Sequence, residues 1–185
     1  VSLEKDFKTV KQIMEAFLLN DIIRKKLRMI CNSKRNDWEK WLQLELEFFI
    51  SSLDGFNIDR EVQAFPDNRK MKNRLNMFVD FAIRKRRTKL NSYIFIELKC
   101  STNPQALLNG FNRDINKINA IKKCSYDTRS FWCVGFHKNC TEKSIKKMIN
   151  YVDDWNGHHE VIKLCDCPTE TECKCKNNKI GFAIL

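Results

Sequence analysis

The chain has 185 residues, 43% of them hydrophobic and 11% aromatic, with a formal net charge of +11. That length accommodates one ordinary domain with its own core, and the apolar content excludes a chain too polar to fold. No apolar run approaches the roughly 20 residues of a membrane-spanning helix, the first residues lack the apolar segment of a signal peptide, and the basic excess points to an acidic partner, nucleic acid first. The chain opens on Val1, not Met, which reads as a domain excised from a longer protein.

In chain order, residues 3 to 30 place Phe7, Val10, Met14, Phe17, Leu18, Ile22, Ile23, Leu27 and Ile30 at three- and four-residue spacing, which predicts helix with a break near Asn20-Asp21. Lys5, Lys8, Lys11, Arg24, Lys25 and Arg28 fall opposite, either tracking a phosphate backbone or forming the solvated face of a helix that covers the core. Residues 1–36 therefore read as a basic helical extension ahead of a main domain over 37–185. A second amphipathic helix is expected over 38–53, capped by Asn36 or Asp37 and closed by Asp54-Gly55. Its apolar face holds Trp38, Trp41, Leu42, Phe48 and Phe49, and Glu45 lies among them. A carboxylate so placed should face the core or a cleft, with Glu39 and Glu47 as alternatives.

A short strand follows over 57–65, then a turn at Pro66-Asp67-Asn68 and the basic residues Arg69, Lys70, Lys72 and Arg74. Two strand-like runs, MFVDFAI and YIFIELKC, flank a basic turn containing Arg84, Lys85, Arg86, Arg87 and Lys89. Beyond them lie a helix over 105–122 entered through Asn103-Pro104, an apolar strand over 131–136, a helix from Thr141 to Trp155, and two last strands over 158–164 and 179–185.

The two central runs each hold an acidic residue that a buried strand has no structural need for. Strand side chains alternate between faces, so Asp80 shares a face with Phe78 and Ala82, and Glu97 shares one with Lys99. If the runs form an antiparallel hairpin with Arg84 opposite Tyr93, Asp80 lies directly across from Glu97. Two carboxylates at that spacing repel unless a cation intervenes, and a hard divalent ion meets the need. The basic turn, some 13 Å from such a site at ~3.3 Å per residue, is too distant for chemistry but suits flanking phosphates.

Asp80 with Glu97-Leu98-Lys99 resembles the D…(D/E)-X-K signature of the PD-(D/E)XK nuclease superfamily, with Val79 standing where the family has proline. The resemblance covers about residues 38–136 and implies a restriction-endonuclease-like α/β fold, a mixed central sheet flanked by helices with an αβββαβ core. It implies a Mg²⁺- or Mn²⁺-dependent endonuclease in which Asp80, Glu97 and the Leu98 carbonyl bind metal, Lys99 acts on the attacking water, and Glu45 completes the catalytic set. Arg84, Lys85, Arg86, Arg87, Lys89, Arg69 and Lys70 would then bind nucleic acid, with DNA placed ahead of RNA. Such a domain fits the toxin or effector part of a larger protein, or a defence-system subunit, acting in the cytoplasm, with an immunity protein or a second copy as further partners. The competing expectation is a nucleic-acid-binding module of the same fold without turnover. Gln105 is a loose match to the polar residue that related enzymes carry in the following helix.

Five of the nine cysteines are scattered singly, which suits a reducing compartment and not a secreted disulfide framework. The other four lie in CDCPTETECKC as two C-x-C pairs, Cys165 with Cys167 and Cys173 with Cys175. They suit a structural Zn²⁺, disulfides across a hairpin over 165–175, or free thiols.

Overall fold

Asn20 divides the N-terminal helical stripe: its side-chain oxygen accepts the amides of Ile22 and Ile23, so one helix ends and the next begins there. In the computed structural model, which describes residues 3–72, 74–88, 92–168, 173–175 and 177–185, these are α1 (Leu3–Leu19) and α2 (Asp21–Asn32). Next come α3 (Glu39–Ser52), β1 (Phe56–Pro66), β2 (Met77–Lys85), β3 (Ser92–Ser101) and α4 (Pro104–Asn119). The chain continues through β4 (Ile121–Cys124), β5 (Asp127–His137), α5 (Glu142–Asp153), β6 (His158–Lys163) and β7 (Lys179–Ile184).

The strands form one mixed sheet in the order β4-β1-β2-β3-β5-β7-β6 among the described residues. β1, β2 and β3 are an antiparallel meander, and α4 carries the chain across to β5, which runs parallel to β3. Phe81 pairs with Ile96, Ala82 with Phe95 and Ile83 with Ile94, the register expected of the central hairpin.

Alternation of side chains splits the hydrophobic core between the two faces. Phe81, Ile83, Ile94, Ile96 and Leu98 face α1, α2 and α3, where Val10, Met14, Phe17, Leu27, Leu42 and Leu46 cover them. The helices expected as an extension thus supply much of the core. The buried Asp6 carboxylate adds a two-pronged pair from α1 to Arg129 of β5. On the other face Leu107, Phe111 and Met148 of α4 and α5 pack on Cys133 and Ala183. α4 lies close because β5 carries Gly135 beneath it: a Cβ there would stand 2.4 Å from the Phe111 ring.

Three elements depart from the sequence expectation. α3 begins after Trp38, whose buried ring takes the cap position with no side-chain hydrogen bond, so neither Asn36 nor Asp37 caps it. The helix is rotated accordingly: Leu42, Gln43, Leu46 and Ile50 are buried, while Phe48 is 68% exposed. α4 ends at Asn119, and Ile121 instead opens β4, which pairs with the outer edge of β1. No described helix is long and apolar enough to cross a membrane.

Candidate active site

β2 and β3 stay paired only as far as Phe81 and Ile96. Beyond that point the amides of Leu98 and Cys100 need other acceptors, and two carboxylates provide them. Asp80 Oδ2 accepts from Leu98 N at 2.8 Å, and Glu39 Oε2, from the start of α3, accepts from Cys100 N at 2.9 Å. In an antiparallel strand a residue's N–H and C=O point to the same side, so the Leu98 carbonyl faces the Asp80 side as well.

Glu97 lies between Asp80 and α4 and is 1% exposed. Lys117 of α4 straddles its carboxylate, with Nζ 2.6 Å from Oε1 and 2.7 Å from Oε2. Burial, and then the neighbouring Asp80 charge, push the Glu97 carboxyl up to about 8 despite that lysine. Asp80 is raised too, chiefly by burial, with the Leu98 amide, Lys117 and Lys99 opposing.

Lys99 points to the same side, its Nζ 3.4 Å from Glu39 Oε1 and 3.8 Å from Asp114 Oδ2. Burial works against its charge, but Asp114, Glu39 and Asp80 outweigh that and hold the ammonium above its ordinary value. Its aliphatic stem crosses α4 at Gly110, where a Cβ would meet Lys99 Cγ at 2.8 Å and Cδ at 3.1 Å. Asp114 is itself buried, with Oδ2 making no hydrogen bond, and burial raises its pKa. Gly110, Asp114 and Lys117, at i, i+4 and i+7, therefore form a polar strip of α4 laid along β3.

Six side chains thus meet here: the carboxylates of Asp80, Glu97, Glu39 and Asp114 and the ammoniums of Lys99 and Lys117. With all ionised the carboxylates exceed the ammoniums by two, a deficit a divalent cation would cancel. The donors are hard oxygens, and the buried Asp114 Oδ2 makes no hydrogen bond, a set chemically able to hold a hard cation. The carboxylates are not drawn into a tight cage. Among the described residues, the one group of three or more ligand side chains within 4.8 Å of one another is Cys165, Cys167, Cys173 and Cys175.

Glu45 is not in this cluster. It accepts from Lys26 and from Trp41 Nε1, on the outer side of α3, and Glu39 takes the place expected of it because the helix is rotated. Glu47 is tied to Arg60. Gln105 is exposed and bonds to Asn109 and Lys147, away from Lys99. Asp114 and Lys117 were missed in the sequence; the available signal was Asp114 interrupting the apolar stripe Leu107, Phe111, Ile118.

The basic turn is built on β1: Arg86 N donates to Gly55 O and its Nε to Asn57 Oδ1. The Arg84 guanidinium lies over the Tyr93 ring, while Lys85, Arg86 and Arg87 are exposed. Lys89 lies outside the described residues. Arg69 forks onto Asp67, and Lys70 donates to the Asn119 carbonyl, so both serve the turn after β1. The histidines belong to the sheet: His137 is buried and its Nε2 lies 3.0 Å from that of His159.

No protein-family model, curated protein or solved structure matches this chain.

Proposed function

We propose that the chain is a divalent-metal-dependent nuclease hydrolysing phosphodiester bonds, with a restriction-endonuclease-like core formed by α3, β1, β2, β3, α4 and β5. The observation that carries this reading is the gathering of Asp80, Glu97 and Lys99 at the point where β2 and β3 part, with Glu39 and Asp114 around them. A structural ion pair needs two such groups, not four carboxylates about two lysines. Burying like charges together destabilises a fold and is characteristic of sites that do chemistry.

In this reading Asp80, Glu97 and the Leu98 carbonyl hold Mg²⁺ or Mn²⁺, which when bound polarises a phosphoryl oxygen and acidifies a water. Lys117 neutralises Glu97 where a cation would otherwise be required. Asp80 is pre-oriented by the Leu98 amide, which would hold its carboxylate ready for a cation. Lys99, held by Glu39 and Asp114 with its stem against Gly110, orients the attacking water and offsets charge building on the phosphate. The exposed Lys85, Arg86 and Arg87 hold flanking phosphates. Phe78, two residues before Asp80 and 47% exposed, offers an aromatic surface at the rim for an unpaired base.

Supercoiled plasmid, single-stranded DNA and structured RNA incubated with the protein, with Mg²⁺ or Mn²⁺ and with EDTA, test the reading. Metal-dependent cleavage of at least one, DNA first, is expected. One observation favours a second reading, a binding module without turnover: Lys117 already donates to Glu97 Oε2 and lies within ion-pair distance of Oε1. Retained nucleic-acid binding with no cleavage under either metal would select it.

A further inference from the structure

The connection from β6 to β7 brings Cys165, Cys167, Cys173 and Cys175 together, with all four sulfurs within 4.8 Å of one another. Cys165 Sγ lies 3.4 Å from Cys173 Sγ, and Cys167 Sγ lies 3.7 Å from Cys175 Sγ. A disulfide requires about 2.05 Å, and all four are free thiols. Four sulfurs at ~2.3 Å from a common centre in tetrahedral array stand roughly 3.8 Å apart, close to what is seen.

The groups around the sulfurs are donors. Asn178 Nδ2 donates to Cys173 Sγ at 2.9 Å and to Cys165 Sγ at 3.4 Å. From α2, Arg28 Nη2 donates to Cys175 Sγ at 3.1 Å. N–H donors and a guanidinium suit thiolates, because four of them around a divalent cation leave a net charge of −2 to be offset. The same α2 face also holds the strand leading into the cluster, where Arg24 Nη2 donates to the Lys163 carbonyl.

We propose that Cys165, Cys167, Cys173 and Cys175 bind one Zn²⁺ as a closed tetrathiolate site that clips the β6–β7 connection and, through Arg28, fastens it to α2. Four protein ligands leave no open coordination position, so the ion is structural. The site is separate from the carboxylate cluster, and its fate is independent of whether the chain cleaves nucleic acid.

The full chain, purified under reducing conditions without added metal, should contain about one Zn²⁺ by elemental analysis. Chelation should lower its melting temperature, with Zn²⁺ alone restoring it. Refilling the chelated chain with Co²⁺ should give the sulfur-to-cobalt charge-transfer absorption and visible bands of a tetrahedral S₄ site. C173S/C175S should lose the metal. If that variant does not fold, R28Q supplies a second test: it removes an outer-sphere donor and should weaken Zn²⁺ affinity by about 10- to 100-fold in competition with a chromophoric chelator. Two disulfides in the intact mass, or four titratable thiols with neither bound metal nor a cobalt spectrum, would overturn the proposal.

Discussion

Glu97→Gln should flatten a pH dependence of stability that the wild-type protein carries in EDTA. Folding raises the Glu97 carboxyl from its ordinary 4.5 to about 8, so between those values the folded chain keeps a proton that the unfolded chain releases. The associated stability is complete below 4.5 and is lost as pH rises through 8. At about 1.4 kcal/mol per pKa unit the full loss is roughly 5 kcal/mol, of which about 3 is already gone at pH 7. Little screening by water reduces this, because the residue is 1% exposed. Urea unfolding of both proteins from pH 5 to 9 in EDTA gives the difference curve, in which the histidines cancel and Glu97 is read together with its coupling to Asp80 and Asp114. Wild type should lose stability relative to the glutamine variant across that range. Mn²⁺ or Mg²⁺, which favours the ionised carboxylate, should recover wild type and leave the variant unchanged. Parallel curves for the two proteins, with or without metal, would refute the account of Glu97 as a cation-seeking buried acid.

Gly110→Ala should leave stability within about 1 kcal/mol, helix propensity opposing the 2.8 Å approach to Lys99 Cγ, yet slow cleavage on the order of 100-fold by displacing the lysine; a calorimetric melt beside a cleavage assay separates the two. Arg129→Met leaves the Asp6 carboxylate buried without its partner and should cost about 3–5 kcal/mol in urea unfolding, a loss that a detachable N-terminal extension would not produce. Replacing Lys85, Arg86 and Arg87 by alanine should weaken binding to unrelated duplexes alike and reduce the salt slope by roughly 0.9 per lost phosphate contact; an unchanged slope would make this a solvated turn.

The central hairpin was legible in the sequence because its signal is local and repeated. Alternation along MFVDFAI and YIFIELKC determines which residues share a face, and one acid on each apolar run stands out against it. The break at Asn20 and the entry at Asn103-Pro104 were legible for the same reason, since one side chain caps each helix. α3 was harder. Both Trp41, Phe48, Phe49 and Leu42, Leu46, Ile50 make plausible apolar stripes, and the burial of Trp38 against the sheet selects the second. That rotation carries Glu39 to the site and Glu45 to Lys26. Asp114 and Lys117 acquire their roles only from the strand beneath them, and polar residues on a helix otherwise read as surface. The Asp6–Arg129 pair that ties α1 to β5 was hidden likewise, because its members are 123 positions apart.

The most direct measurement pairs Mn²⁺ binding with cleavage in three proteins: wild type, Asp80→Asn and Lys99→Ala. The account predicts that wild type binds the ion and cuts, that Asp80→Asn loses both, and that Lys99→Ala binds the ion but no longer cuts. Nucleic-acid affinity should survive in all three, because the exposed cations proposed to supply it lie on the basic turn. A Lys99→Ala protein that cuts at the wild-type rate, or an Asp80→Asn protein that binds Mn²⁺ as tightly as wild type, would contradict the assignment of this cluster as a nuclease centre.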